Sequence, residues 1–536
     1  MKGTLLRNWP LYVSVLVFLM LSWLILSVSI SKNHGHLVYA LDDAYIGMAM
    51  ARNFSQYGVW GVTRYAFTSC SSPPLWTLLL SLTYYLGGVN QLAPLLWDLV
   101  FAILVLAAAD AILSWYKAPA GVRLVALLGI ILLIPLPALI LTGMEPTLQI
   151  LVSLLTVFFA ARWISGEAPD SARGDSVRLL ILAPVLTAVR FEGIFLIIAI
   201  AMILLVLKRW AYALAFGALG FLPWLVYGTV SVSKGWFWLP TSLLLKASLP
   251  DFHSPAELIL SLLNPIFVNL HEGLHALVLL VCVLLFYILA CGKGSGPRES
   301  RQIMGAILIL AGIAHLEFVG AGTLYRYDAY WCVLAILFVA VQLPVVMPSW
   351  PSPLSLTTWT APRNLACSAL ALLFFFLLAV KGGRVLWLLP QCTTNVYEQQ
   401  YQMGLFVHQY YENSTVALND IGAVNFLADI HCLDLWGLAN VEIAAAKRKH
   451  AYQAGDIERL SKQTGTRIAI VYDQWFPGML PREWIRVGRW TIQDNVIVGG
   501  DTVSFYAVNP AEAAHLAECL SDFSSRLPAD VIQQGQ

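Results

Sequence analysis

The stretch LVYALDDAYIGMAMARNFSQYG, residues 37–58, sets two adjacent carboxylates, Asp42 and Asp43, just after a long apolar run. Apolar residues at 45, 46, 48, 49 and 50 predict a short amphipathic helix lying in a membrane interface. Successive helical residues point about 100° apart, so the two aspartates need not act as one dyad. One can bind a substrate hydroxyl while the other holds a cation. A carboxylate at the bilayer centre costs about 2.5–3.5 kcal/mol on insertion scales, which favours the interface. The alternatives for this stretch are a solvated turn and an active site at the membrane surface.

The surrounding chain is 536 residues long, 59% hydrophobic and only 12% charged, with a mean hydropathy of +0.72. Soluble domains carry about 25% charged residues, so this is a polytopic membrane protein. The formal net charge of +1 leaves no nucleic-acid footprint. Many of the 19 Trp and 21 Tyr stand near the ends of apolar runs, as interfacial belts require.

Runs long enough to approach the ~20 residues of a spanning helix lie near 10–30, 73–90, 92–116, 122–141, 147–164, 193–207, 210–232, 271–290, 303–320, 327–347 and 365–388. A shorter run occupies 179–189. Lys2 and Arg7 place the N-terminus in the cytoplasm by the positive-inside rule. The first run is read as an uncleaved anchor rather than a signal peptide. Basic loops at 162–178, 208–209 and 293–301 belong on the cytoplasmic side, which puts 31–72, 143–146, 190–193, 231–270, 324–328 and the C-terminal part outside. An outward C-terminus needs an odd number of crossings, so one run between 73 and 141 is expected to be re-entrant or a half-helix.

From about residue 390 the composition changes. TVALND (415–420), TRIAIVY (466–472) and DTVSFYAV (501–508) read as strands, and 395–412, 440–450 and 511–523 as helices. The division is therefore a membrane part, 1–389, and an extracytoplasmic α/β domain, 390–536. Residues 349–362 form a Pro/Ser/Thr-rich linker. The eight Cys show no metal spacing. In an oxidising compartment two of Cys392, Cys432 and Cys519 could pair.

Chemistry-bearing residues collect in the outward segments. RYAFTSCSSPPLWTLLL (64–80) crowds Ser69, Ser71 and Ser72 before Pro73-Pro74, a serine-capped helix start that can receive an anion, with Arg64 adding charge. Glu145 lies in TGMEPTL, Arg190 and Glu192 in VRFEG, Lys246 in LPTSLLLKASLP, and Arg326 and Asp328 in LYRYDAY. Ionisable groups at membrane depth are functional candidates, and their shared side of the membrane strengthens each. Asp98 and Asp110 are left as polar residues of the bundle. HEGLH (271–275) matches the H-E-x-x-H zinc pattern, which makes a membrane metalloprotease the alternative enzyme. It lacks an evident third ligand, so His271 and Glu272 are read as interfacial caps or substrate ligands.

Taken in order, LDDAYI with ARNFSQYG, TSCSSPPLWTLLL, TGMEPTL, AVRFEGIFL, LPTSLLLKA, YRYDAY and the C-terminal LNDIGAVNFLADIHCLDLWGLAN resemble the GT-C superfamily of membrane glycosyltransferases. The likeness extends to bacterial arabinofuranosyltransferase and mannosyltransferase relatives. TSCSSPPLWT lacks the Gly that relatives often carry before Ser-Pro. The resemblance implies an α-helical polytopic GT-C fold of about 11–13 helices in a bacterial plasma membrane, with its active site and C-terminal domain extracytoplasmic. It implies an inverting transfer from a polyprenyl-phosphate sugar to a glycan, lipid or protein acceptor. Asp42 or Asp43 would be the general base. Arg64, Lys246, Arg326 and Arg190 would hold the donor phosphate. Arg52, Tyr65, Ser71, Glu145, Glu192, His271, Glu272 and Asp328 would contact substrate, and Asp43 with Glu145 would bind a divalent cation such as Mg, Mn or Ca. In the outer domain Asp420 and Asp434 fall at strand ends, and Trp436 and Trp475 are candidates to stack on acceptor sugars. A transporter or flippase is the non-enzyme alternative; it would favour internal repeats and mid-membrane charges, which this sequence does not show.

Overall fold

The computed structural model describes residues 8–167, 172–246, 270–319, 322–346 and 362–535. The chain is an integral, multi-pass membrane protein. Among the described residues eight helices are long and apolar enough to cross a bilayer.

The membrane part runs α1 (Trp9–Lys32), α2 (Asp42–Tyr57), α3 (Pro74–Gly87), α4 (Leu92–Trp115), α5 (Ala120–Leu132), α6 (Leu136–Ile140), α7 (Pro146–Ser165), α8 (Ala172–Val189), α9 (Ile194–Val206), α10 (Trp210–Ser233), α11 (Thr241–Lys246), α12 (Leu270–Cys291), α13 (Ser300–Phe318), α14 (Ala329–Val346) and α15 (Pro362–Val396). The expected irregularity between 73 and 141 is visible. The run at 73–90 yields only the 14 residues of α3, about 21 Å of helix against a ~30 Å hydrocarbon core. The run at 122–141 is split into α5 and α6 around Pro135, because a proline inside a helix removes a hydrogen bond and clashes with the preceding turn. Two polar residues of the bundle find partners. Arg123 Nε and Nη2 grip Asp110 at 2.8 and 2.5 Å, and the Thr147 hydroxyl donates to Asp98.

The C-terminal part continues as α16 (Gln402–Tyr410), β1 (Thr415–Leu418), α17 (Ala423–Leu427), β2 (His431–Asp434), α18 (Val441–Arg448), α19 (Ala454–Thr464), β3 (Ile468–Val471), β4 (Ile485–Thr491), β5 (Thr502–Ala507), α20 (Ala513–Phe523) and β6 (Ile532–Gly535). One six-stranded sheet has the order β2-β1-β3-β5-β4-β6. β1 pairs in parallel with β2 and β3, and the β3–β5, β5–β4 and β4–β6 pairs are antiparallel. The three strands expected from sequence are β1, β3 and β5. No break falls at residue 390: the helix runs on through a wider π turn at Tyr397–Tyr401 into α16. Cys392, Cys432 and Cys519 are all free thiols, so the expected pairing is not formed.

α2 decides how the two parts join. It forms where its apolar spacing predicted, and Gly58 ends it in the left-handed conformation (φ 67) that glycine adopts without strain. Its apolar residues are taken up by protein, however. Ala44, Tyr45, Met48, Ala49 and Ala51 belong to the core of the membrane bundle. Ile46 and Met50, with Val62 and Cys70, belong to the core of the α/β domain, beside Phe406, Val416 and Trp490. The helix is a wedge with one face in each core.

Candidate active site

A cavity of about 290 Å³ opens where α2, the start of α3, the turn before α7, the VRFEG segment, α11 and the loop before α14 converge. Its polar lining includes Asp43, Ser71, Glu145, Arg190, Glu192 and Arg326. Six candidates from five separate places in the sequence therefore share one pocket.

Local backbone chemistry aims each of them. Asp43 stands in the first turn of α2, where a carboxylate is favoured by the helix dipole. Glu145 is the residue before Pro146, which opens α7. The turn ahead of it needs Gly143: its φ is +64, and a Cβ there would lie 2.6 Å from the Tyr39 ring. Arg190 is extended (φ −152), and breaks the chain between α8 and α9, so its side chain leaves the helical path and enters the pocket.

The charges are interlocked. Arg326 Nη1 meets Asp43 Oδ2 at 2.5 Å. Arg190 Nη1 meets Glu145 Oε1 at 2.8 Å, and its Nη2 and Nε meet Glu192 at 2.8 and 3.2 Å. Arg190 Nη1 also donates to the backbone carbonyl of Arg326 at 3.1 Å. The Tyr327 ring lies beneath both guanidiniums, 4.6 Å from that of Arg326 and 4.9 Å from that of Arg190. Glu145 is 1% exposed, and its Oε2 has no hydrogen-bond partner among the described residues. The guanidinium of Arg326 likewise keeps a buried Nε without one. Asp43 and Glu145, expected from sequence to share a cation, are each paired with an arginine, and Glu145 Oε2 remains open.

Asp42 points elsewhere. Its two oxygens accept the backbone N–H groups of Gly422 (2.8 Å) and Ala423 (2.7 Å), at the start of α17. The approach is so close that a Cβ on residue 422 would lie 2.0 Å from the Asp42 carbonyl oxygen. Burial first, and the nearby Asp420 carboxylate second, push the Asp42 carboxyl up to about 8. Asp420 is raised as well, by burial first, and is held by Gln400 Nε2 at 2.9 Å and the Tyr472 hydroxyl at 2.8 Å.

Other expected ligands serve the junction between the two parts rather than the cavity. Arg52 donates to the carbonyls of Phe426 (2.8 Å) and Asn425 (3.1 Å). Arg64 pairs with Asp429 at 3.1 Å and donates to Asn413 at 3.0 Å, and Tyr65 stacks on His431 at 3.7 Å. None of these three lines the cavity; each holds the α/β domain instead. Ser69, taken as a helix cap, instead bonds Tyr227 and Ser231 across to α10, and the N-cap position of α3 is Pro73. Asp328 is buried outside the cavity against His275 (2.6 Å) and Lys381 (3.5 Å). The side chains of Lys246, His271 and Glu272 lie outside the described residues. Trp436 is covered by Lys447 Nζ at 3.3 Å and by Trp475 at 4.6 Å, so its ring is already engaged. Asp434 accepts the backbone N–H groups of Trp436, Gly437 and Ala439, shaping the loop that brings Leu438 to the cavity wall.

The sequence reading passed over Tyr327 and Lys381. Tyr327 adjoins Arg326, and aromatic faces attract guanidinium groups. Lys381, with Arg384 three residues on, interrupts a long apolar run, a rare charge that should have drawn notice. His275 Nε2, an Asp328 oxygen and Cys332 Sγ lie within 4.8 Å of one another, a donor set able to hold a divalent ion. Lys381 Nζ stands 2.9 Å from His275 Nε2, so an ammonium already neutralises this group.

Comparison with solved structures gives the fold. Crystal structures of ArnT from Cupriavidus metallidurans superpose with TM-scores of 0.54 (bound to undecaprenyl phosphate, 14% identity) and 0.53 (apo state, 13% identity). Each match covers 93% of this chain and 98% of that one. Residues 394–506 match a family described as a domain of unknown function (DUF8728). No curated protein matches the chain in sequence. The fold is that of these ArnT structures: a helical membrane part with a small C-terminal sheet domain.

Proposed function

We propose that the protein is a glycosyltransferase that moves a sugar from a polyprenyl-phosphate donor to an acceptor hydroxyl in the cavity beside α2, on the extracytoplasmic side. The observation that carries this is the Asp43–Arg326 pair on the cavity wall. It sets a proton acceptor beside a phosphate-binding cation, the two groups such a transfer needs. The ArnT match supports the reading, since one of those structures holds undecaprenyl phosphate.

The steps follow from charge. An entering phosphate competes for Arg326, because a guanidinium binds phosphate oxygens as readily as a carboxylate. As Arg326 turns to the phosphate, Asp43 Oδ2 is left to take the proton of the acceptor hydroxyl while that oxygen attacks the anomeric carbon. The bond from that carbon to the phosphate oxygen breaks, and Arg326 meets the charge that develops on the leaving phosphate. Attack opposite the leaving group inverts the anomeric centre and needs no enzyme nucleophile. Arg190 acts indirectly: held by Glu145 and Glu192, it fixes the Arg326 carbonyl.

A divalent cation, if bound here, would be held by Glu145 through its open Oε2 and by Asp43. It would supply positive charge to the leaving phosphate. The zinc-protease alternative is weakened by His275, whose Nε2 is engaged by Asp328 and Lys381.

The test is transfer of label from a panel of polyprenyl-phosphate sugars into membrane acceptors, by wild type and Asp43→Asn. Transfer by wild type and its loss in the variant are expected. Full transfer by the variant would remove Asp43 as the base.

A further inference from the structure

Between α13 and α14 the chain turns through Leu324 (φ 56) and Tyr325 (φ 61), two consecutive non-glycine residues in the left-handed region. That region is unfavourable for L-residues and rarer still for bulky ones. It persists where the surroundings over-determine the backbone. Both residues are buried, Tyr325 completely.

Three side chains from three elements supply the constraint. His275 comes from α12, Asp328 from the residue before α14, and Lys381 from the apolar length of α15. His275 Nε2 lies 2.6 Å from Asp328 Oδ2. Lys381 Nζ lies 2.9 Å from His275 Nε2 and 3.5 Å from Asp328 Oδ2. Lys381 Nζ also sits 4.2 Å from the centre of the Tyr325 ring, and the His275 ring meets Tyr325 edge-on at 5.5 Å. The other oxygen of Asp328 accepts the Gly322 N–H at 3.3 Å. Both ends of the loop and its most strained residue are therefore tied to one buried point. None of the three tying side chains lines the cavity.

This loop delivers three things to the cavity: the Arg326 guanidinium, the Arg326 carbonyl that Arg190 grips, and the Tyr327 ring under both arginines. The geometry points to Lys381 as a positioning residue. Through His275 and Asp328 it latches loop 322–328 in its left-handed turn, and so sets Arg326 opposite Asp43 for the donor phosphate. The role of Arg326 in that statement rests on the proposed function; the latch itself does not.

The experiment uses the full chain in lipid nanodiscs, as wild type, Lys381→Met, Lys381→Arg and Arg326→Met, with Leu324→Gly and Arg326→Met each also combined with Lys381→Met. Hydrogen exchange of peptides covering 322–328 reads the loop, and undecaprenyl phosphate affinity reads the site. Lys381→Met should speed exchange in the loop and weaken affinity about tenfold, and Lys381→Arg should restore both. Leu324→Gly, which makes the left-handed turn cheap, should recover part of the affinity lost in Lys381→Met. In the Arg326→Met background the lysine substitution should cost nothing further, as expected when one residue acts through another. Unchanged exchange in Lys381→Met would overturn the latch. So would a full affinity loss that persists in the Arg326→Met background. Loosening of the wild-type loop by a chelator would overturn it in favour of a metal held by His275, Asp328 and Cys332. If wild type fails to bind undecaprenyl phosphate, the functional reading falls, and the exchange data still decide the latch.

Discussion

Asp42 and Asp43 are adjacent in the chain and serve opposite sides of it: Asp42 grips the amides of Gly422 and Ala423, whereas Asp43 faces Arg326 across the cavity. The 100° step of a helix separates a carboxylate that docks the α/β domain from one that faces the cavity. Replacing them one at a time should therefore give two phenotypes. Asp43→Asn should fold with a melting temperature near wild type and lose about 10²–10⁴-fold in transfer rate. Asp42→Ala should lose stability by about 1–3 kcal/mol, because the buried amides of Gly422 and Ala423 are left unpaired. Thermal melting and transfer, measured on the same preparations, separate the two.

The two arginines should also differ. Arg190 is 2% exposed and neutralises both Glu145 and Glu192. Arg190→Gln leaves uncompensated buried carboxylates and should cost about 3–5 kcal/mol, seen as low yield and early melting. Arg326→Gln leaves one part-exposed carboxylate at the cavity. It should stay folded, and transfer should fall about 10²-fold or more as the leaving phosphate loses its cation.

The Asp42–Asp420 pair makes a pH prediction. The Asp42 carboxyl is raised from 3.8 to about 8, by burial and then by Asp420. A raised carboxyl favours the protonated folded form. Its stabilising contribution is full below the unfolded value near 4 and drains away as pH rises toward 8, by at most about 1.4 kcal/mol per pH unit. Asp420→Asn removes the like charge. Its stability relative to wild type should improve between pH 5 and pH 9, which melting curves across that range would show. A constant difference would mean that the pair does not share this proton.

How much of this was legible beforehand depended on the kind of signal. Apolar run lengths located the long helices, and short runs rich in β-branched and aromatic residues located β1, β3 and β5. Rare charges at run ends picked out Asp43, Glu145, Arg190, Glu192 and Arg326, which the fold brings to one cavity. What sequence could not weigh was competition among partners. Arg52 and Arg64 look like phosphate ligands, but they are claimed by carbonyls and Asp429 nearly four hundred residues away. β2, β4 and β6 escaped because they are short or carry mixed residues whose burial is set by sheet neighbours. Lys381 was hidden by its own helix, since nothing local indicates that His275 and Asp328 meet it there.

Gly422 gives a further check on the junction. With a Cβ 2.0 Å from the Asp42 carbonyl, Gly422→Ala must displace either α2 or α17. Overpacking of this kind costs about 1–3 kcal/mol. Limited proteolysis between the membrane part and the α/β domain should accelerate in this variant, and transfer should fall with it. Asp429→Ala, which breaks only a part-exposed pair with Arg64, should change stability by about 1 kcal/mol or less.

The unbroken rod from Leu372 to Tyr410 is 39 residues long, about 58 Å at helical rise, against a hydrocarbon thickness of ~30 Å. Its outer end is built into the α/β core through Met403, Phe406 and Val407, so the length that outruns the hydrocarbon is held by protein rather than by lipid.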